Sequence, residues 1–316
     1  MKRSLVAGGA GFIGSHLCEA LLERGHHVTV VDSLISGRAS NLKSPIFEKN
    51  KKNFKFLKKD ILKPLNIKAD YIFNLASPAS PPHYQVHSIY TLRTGSEGTY
   101  NLLMLAKKNK ARFLHASTSE VYGDPQVHPQ VETYWGNVNP NGVRACYDEA
   151  KRYAEALIME FWRKEKVDTR MVRIFNTYGP RLDPDDGRVI SNYIKQALKG
   201  EPLTVFGDGK QTRSFQYVSD LVAAMLTVMF SPKAKAGCFY NTGNPGEFTM
   251  IQAAKLVKKY TETNSPIVHR PLPKDDPSRR KPDISKIKRE LGWSPKVKFE
   301  DGLKKTIEWY RMNEIR

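Results

Sequence analysis

The 316-residue chain has little cysteine: Cys18, Cys146 and Cys238 are odd in number and far apart. No CxxC pair occurs and no histidine stands at metal-ligand spacing from a cysteine, which argues against a disulfide framework or a zinc site. His83 and His87 are four apart but lack a third ligand, so no metal is expected. Long apolar runs are missing too. The longest, Leu221 to Phe230, is too short to span a bilayer, and nothing after Met1 reads as a signal peptide or anchor. No membrane partner is therefore expected, and the location expected is cytoplasmic. Acidic residues are scarce, 32 Asp plus Glu against 51 Lys plus Arg, a formal net charge of +19. A field of that sign attracts nucleic acid, anionic lipid or a multiply charged small substrate. The basic runs are scattered and lack interleaved aromatics, so nucleic acid is the less favoured of these partners.

What is present is a globular composition, 40% hydrophobic and 10% aromatic, with a first half that alternates strand and helix patterns. Arg3 to Ala7, His27 to Val31, Phe54 to Leu57, Tyr71 to Leu75, Arg112 to Ala116 and Thr169 to Ile174 read as strands. Phe12 to Arg24, Tyr90 to Asn109 and Tyr147 to Lys166 read as helices, the last with Ala150, Ala154, Leu157, Ile158 and Phe161 on one stripe. After Ile174 the alternation breaks. The fold class expected is α/β, a Rossmann-type doubly wound parallel sheet with a smaller, discontinuous C-terminal substrate lobe. The expected division is 1–175 plus about 212–246 for the nucleotide-binding domain, and about 176–211 and 247–316 for the other.

Gly8, Gly11 and Gly14 form a GxxGxxG turn between the first strand and the first helix. Glycines there permit a sharp turn and close approach of backbone to a pyrophosphate, which the helix N-terminus attracts. Asp32 closes the second strand, where a carboxylate accepts hydrogen bonds from ribose hydroxyls and repels a 2′-phosphate. Together they point to NAD rather than NADP, although Arg38 nearby leaves a phosphorylated ribose open. Tyr147 and Lys151 lie one helical turn apart, so an ammonium faces a phenol and is expected to lower its pKa toward that of a usable base. A tyrosine and lysine at this spacing are, taken alone, more often an ordinary helix pair.

The glycine turn, the segment Ser117 to Gly123 (STSEVYG), the Tyr147/Lys151 pair and Arg173 to Arg181 (RIFNTYGPR) together resemble the extended short-chain dehydrogenase/reductase family of nucleotide-sugar enzymes. Ala76 to Tyr84 (ASPASPPHY), Arg144 to Glu149 (RACYDE) and Asp275 to Asp283 (DDPSRRKPD) resemble its UDP-glucuronate-decarboxylating branch, and the likeness covers nearly the whole chain. The resemblance implies a carboxy-lyase. Bound NAD oxidises carbon 4 of UDP-glucuronate while Tyr147 takes the hydroxyl proton, the β-keto acid loses CO2, and hydride return gives UDP-xylose.

It also implies individual roles. Thr118 hydrogen-bonds the reacting oxygen, Glu120 arranges water or substrate, and Arg280 lies near the sugar carboxylate. The cofactor contacts implied are Gly8, Gly11, Phe12, Ile13, Gly14, Asp32 and Gly37, then Asp60, Ile61, Leu75, Ser77 and Thr94, with Tyr147 and Lys151 at the nicotinamide end. The substrate contacts implied are Tyr84, Arg93, Asn101, Asn176, Arg188, Val205, Arg213 and Arg280. A homodimer through the two long helices is implied as well. One departure stands out: Gly95 occupies a position where relatives commonly carry Asn, which implies a hydrogen bond lost or taken over by water. The rival readings are a UDP-sugar 4-epimerase and a decarboxylase that releases the 4-keto pentose. Ser119, at the aspartate position of the 4,6-dehydratases, argues against that chemistry. From another class, the charge leaves open an NAD-sensing or nucleic-acid-binding protein on the same fold.

Overall fold

Runs such as Leu5-Val6-Ala7 and Val28 to Val31 are predominantly apolar on both faces of a strand, so strands built from them must be covered on both sides. The computed structural model, which describes residues 1–271 and 279–314, covers them with helices. Seven parallel strands pair in the order Cys238–Thr242, Thr169–Ile174, Arg112–Thr118, Tyr71–Asn74, Arg3–Ala7, His27–Asp32 and Phe54–Lys58. Leu5 and Ala7 pack into one helical layer and Val6 into the other, all fully buried.

The chain enters at Arg3–Ala7, builds outward to Phe54–Lys58, then returns and builds the other way from Tyr71–Asn74. Strand order therefore reverses between Arg3–Ala7 and Tyr71–Asn74. At such a point the loops leaving the carboxyl ends diverge and open a crevice. This is the expected doubly wound sheet, with Cys238–Thr242 as a seventh strand that lies beyond the break in the alternating pattern. The helix carrying the tyrosine and lysine, Ala145–Glu165, starts two residues before Tyr147. The helix expected from Tyr90 to Asn109 is Ser88–Arg93, a wider turn Thr94–Gly98, and Thr99–Asn109.

Past Ile174 the chain adds small sheets. Leu203–Phe206 pairs with Ile267–Arg270, and Thr212–Ser214 lies between Glu247–Thr249 and Arg279–Arg280, with Arg280 the register partner of Arg213. Residues 272–278, and with them Asp275 to Ser278 of the DDPSRRKPD segment, lie outside the described residues. No described helix is long and apolar enough to cross a membrane.

Candidate active site

The turn after Arg3–Ala7 depends on missing side chains. A Cβ on Gly14 would lie 2.1 Å from the Gly8 carbonyl oxygen, and Gly8 itself has φ +79, a conformation glycine favours. Helix Phe12–Glu23 thus starts tight against the strand. No side chain caps it, so its first-turn amides are available where the helix dipole is positive, and Gly11 to Gly14 line a cleft of about 680 Å³.

Asp32 is buried and accepts hydrogen bonds from the Ala10 amide at 3.0 Å and the Leu34 amide at 2.9 Å. Burial raises its pKa, while those two amides pull it back. A Cβ on Gly37 would lie 2.7 Å from Asp32 Oδ1, so glycine keeps open a hollow beside the carboxylate. Asp60, Ile61, Ser77 and Thr94 line the same hollow. The arrangement fits an adenosine ribose, whose hydroxyls donate to a carboxylate already held in place; a 2′-phosphate would meet its charge. Arg38 is tied to two other carboxylates, Asp183 at 2.6 Å and Glu314 at 3.2 Å.

Tyr147 and Lys151 share one helix face at the base of the cleft. The Tyr84 ring stacks on that of Tyr147, centroids 5.0 Å apart and planes within 8°. Lys151 Nζ donates to the Ala116 carbonyl oxygen at 2.8 Å and lies 5.8 Å from the centre of the Tyr147 ring. The expected lowering of the phenol is absent from the protein alone. Burial pushes Tyr147 up to about 12, against the pull of the Thr118 hydroxyl and the Arg188 charge. Burial also pushes Lys151 down to about 8, with Glu155 opposing, and its ammonium is engaged by a backbone oxygen. The resting phenol is protonated.

The Tyr84 hydroxyl is buried without a hydrogen-bond partner among the described residues. Tyr84→Phe is therefore expected to be at least as stable as the parent, because it removes an unsatisfied polar atom and keeps the stack. Tyr84→Ala is expected to lose about 3–5 kcal/mol through the cavity it leaves, read by urea unfolding.

A charged corner adjoins the pair. Glu120 lies in the short turn Ser119–Tyr122, and the Thr118 hydroxyl accepts its amide at 3.2 Å. One Glu120 oxygen takes Arg144 at 2.7 Å and the other takes Arg280. Burial by itself would raise this carboxyl, but Arg280 and Arg144 outweigh it and hold Glu120 at about 2. Asp148 goes the other way: burial and then the Glu120 charge push it up to about 7, against Arg144 and Arg280, and its Oδ1 has no partner among the described residues.

A carboxyl raised above its ordinary value, 3.8 for Asp148, disfavours folding increasingly as pH climbs from that value toward about 7. Asp148→Asn is accordingly expected to raise the melting temperature more at pH 8 than at pH 5, by about 2–4 °C per kcal/mol recovered. An equal gain at both pH values in calorimetric scans would contradict this.

The chain matches the family model described as GDP-mannose 4,6 dehydratase over residues 5–306. It is 52% identical over 309 residues to UDP-glucuronic acid decarboxylase 4 of Arabidopsis thaliana, across 98% of this chain and 68% of that protein. The chain belongs to the UDP-glucuronic acid decarboxylase family of extended short-chain dehydrogenases/reductases. Among solved structures it is similar to UDP-glucuronic acid 4-epimerase from Bacillus cereus in complex with UDP-glucuronic acid and NAD. That match has a TM-score of 0.87 at 28% identity and covers 98% of this chain and 99% of the other. UDP-glucose 4-epimerase with UDP-glucose from Thermotoga maritima is similar at TM-score 0.88 and 32% identity, covering 98% and 99%.

Most of the positions carried over from this decarboxylase family converge. Gly8, Phe12, Ile13, Leu75, Ser77, Tyr84, Thr118, Glu120, Asn176, Arg188, Arg213 and Arg280 line the one cleft with Tyr147 and Lys151. Three do not. Val205 is fully buried in the core, and strand alternation turns Thr204 and Phe206 to the cleft instead. Arg93 is exposed and paired with Glu97 at 2.8 Å on its own helix, away from the cleft. Asn101 gives its amide to the Ile61 and Leu62 carbonyl oxygens at 2.9 and 3.0 Å, bracing the segment beside Asp60 from behind. One functional side chain had no role assigned to it from sequence: Arg144, which lines the cleft. Positions 144, 147 and 151 follow i−3, i, i+4 spacing on one helix face, and that was the available signal.

Proposed function

We propose that this chain converts UDP-glucuronate to UDP-xylose and CO2 through a 4-keto sugar, with NAD as a recycled cofactor. The observation that carries the reading is Arg144 and Arg280 converging on Glu120 beside Tyr147 and Lys151: a seat for a sugar carboxylate adjoins groups suited to a sugar hydroxyl. Two guanidiniums against one ionised carboxylate leave positive charge where a second carboxylate can settle.

The first-turn amides of Phe12–Glu23, Asp32 and the hollow kept open by Gly37 would hold NAD, which supplies hydride acceptance at carbon 4 and its return. Tyr147, protonated in the protein alone, would first give its proton to water, a loss that the positive charge of bound NAD and of Lys151 would favour. As phenolate it takes the carbon-4 hydroxyl proton, with the Thr118 hydroxyl supporting the same oxygen. Lys151 lends positive charge below the phenol when its own proton is retained. A ketone at carbon 4 places the carboxylate β to a carbonyl, so CO2 leaves with its bonding electrons delocalised onto oxygen as an enolate. Glu120 is ionised and a guanidinium is not a proton donor to carbon, so the proton that reaches carbon 5 comes from water held beside this ion pair. Asn176, Arg188 and Arg213 hold the UDP end, the arginines through their fork-like match to phosphate. Proton NMR of products from UDP-glucuronate tests the reading: UDP-xylose is expected, whereas a 4-epimer, a lasting 4-keto pentose or unreacted substrate would contradict it.

The reading extends to a homodimer in a reducing, cytoplasmic setting, consistent with three free cysteines. Val86, Ile89, Leu92, Tyr100, Met104 and Tyr153 are exposed on the helices between Pro81 and Asn109 and on Ala145–Glu165. Such an apolar surface is normally covered. Sedimentation should find a dimer for the parent and a monomer for an Ile89→Glu, Met104→Glu double variant; a parent monomer would remove this part of the reading.

A further inference from the structure

The turn Thr94–Gly98 is wound more widely than the helices on either side of it, an extra-residue bulge of the kind that re-aims neighbouring side chains. Here it touches three places at once. Thr94 lines the hollow beside Asp60 and Ile61. A Cβ on Gly98 would lie 2.6 Å from Ile61 Cδ1, a side-chain tip able to rotate away. A Cβ on Gly95 would lie 2.7 Å from both the Ala150 Cβ and the Ala150 carbonyl oxygen, and 3.0 Å from its carbonyl carbon. Those atoms are a methyl and the backbone of Ala145–Glu165, and neither can swing aside.

Gly95 has no left-handed φ, so backbone conformation does not call for glycine here. A helical glycine is otherwise costly relative to alanine. What requires it is the contact. Ala150 is buried, three residues after Tyr147 and one before Lys151. We propose that Gly95 is a positioning residue for the Tyr147/Lys151 pair: its bare Cα lets the catalytic helix seat against the turn that carries Thr94, and a side chain there would push Tyr147 off its station beside Thr118. Any side chain at 95 meets both the methyl and the carbonyl of Ala150. This inference rests on the proposed role of the pair.

The test uses Gly95→Ala, Ala150→Gly and the double variant of the full chain. Displacement of about 1 Å at a reacting group costs up to about 100-fold, so Gly95→Ala is expected to lower kcat for CO2 release about 10- to 100-fold. KM for UDP-glucuronate is expected to stay within about threefold, since the groups assigned to UDP are elsewhere. Hydrogen exchange in the peptide spanning residues 145–152 should quicken. Ala150→Gly alone should keep parental kcat, and adding it to Gly95→Ala, which removes the methyl but leaves the residue-150 carbonyl in place, should recover part of the lost rate and of the parental exchange. A Gly95→Ala variant with parental kcat and exchange overturns the proposal, as does a loss that Ala150→Gly does not recover. If Gly95→Ala aggregates, a folded double variant supports the contact and an aggregating one overturns it. If the parent releases no CO2, the proposed reaction falls, and the exchange pattern, read without turnover, decides this inference separately.

Discussion

Replacing Tyr147 with phenylalanine is expected to slow CO2 release from UDP-glucuronate about 10²- to 10⁴-fold, the range for losing a positioned acid–base group. UDP affinity, followed by calorimetric titration, and the melting temperature should be unchanged. The ring that stacks on Tyr84 at 5.0 Å remains, so only the phenolic oxygen is removed. No neighbour is fit to replace it. Lys151 donates to the Ala116 carbonyl and Glu120 is committed to two arginines. Thr118 has too weakly acidic a hydroxyl to hold a proton in exchange. A loss smaller than about tenfold would take Tyr147 out of the role assigned to it.

Glu120→Ala is expected to be among the most destabilising single changes in the site, about 3–5 kcal/mol in urea unfolding, because it strands two largely buried guanidiniums. Arg280 is 4% exposed, whereas the Arg144 side chain is 18% exposed, so the charge left without water is chiefly that of Arg280. Glu120→Gln separates shape from charge: it should fold better than the alanine variant and still lose most turnover, since two unbalanced cations would clamp the substrate carboxylate and resist its departure as CO2. The pH dependence has a definite sign. A carboxyl held at about 2 against an ordinary 4.5 contributes stability that is fully present above 4.5 and is lost as pH falls toward about 2. The parent should therefore lose stability over that acid window more steeply than Glu120→Gln. Parallel curves, or an alanine variant within about 1 kcal/mol of the parent, would mean that this pairing behaves as an exposed one.

The parts of the site that were legible in sequence are those whose geometry is local. Gly8 to Gly14 and Asp32 follow from a strand, a tight turn and a helix, and Tyr147/Lys151 from a single helical turn. The carried-over segment Val205-Phe206-Gly207 contains Phe206, which faces the cleft, but the contact was put on Val205 and Thr204 was missed; strand alternation decides which positions face the cleft. Arg93 and Asn101 came from resemblance without a geometric reason, and the fold uses both for other contacts. Arg144 was hidden because its partner, Glu120, is 24 residues away and on another element. The strand Cys238–Thr242 was hard to see for a similar reason, since its place beside Thr169–Ile174 is decided by pairing across some 60 residues that hold two helices and several short strands.

The register that puts Arg280 opposite Arg213 has an evolutionary corollary. Both guanidiniums enter the cleft from one rung of a narrow ladder, so sliding either strand by a single residue would turn that strand's own arginine away from the cleft. Either slip would therefore strip the site of one of its two paired cations. Lineages descending from this scaffold can alter which sugar they accept only by exchanging side chains in place, and insertions into that ladder should be purged.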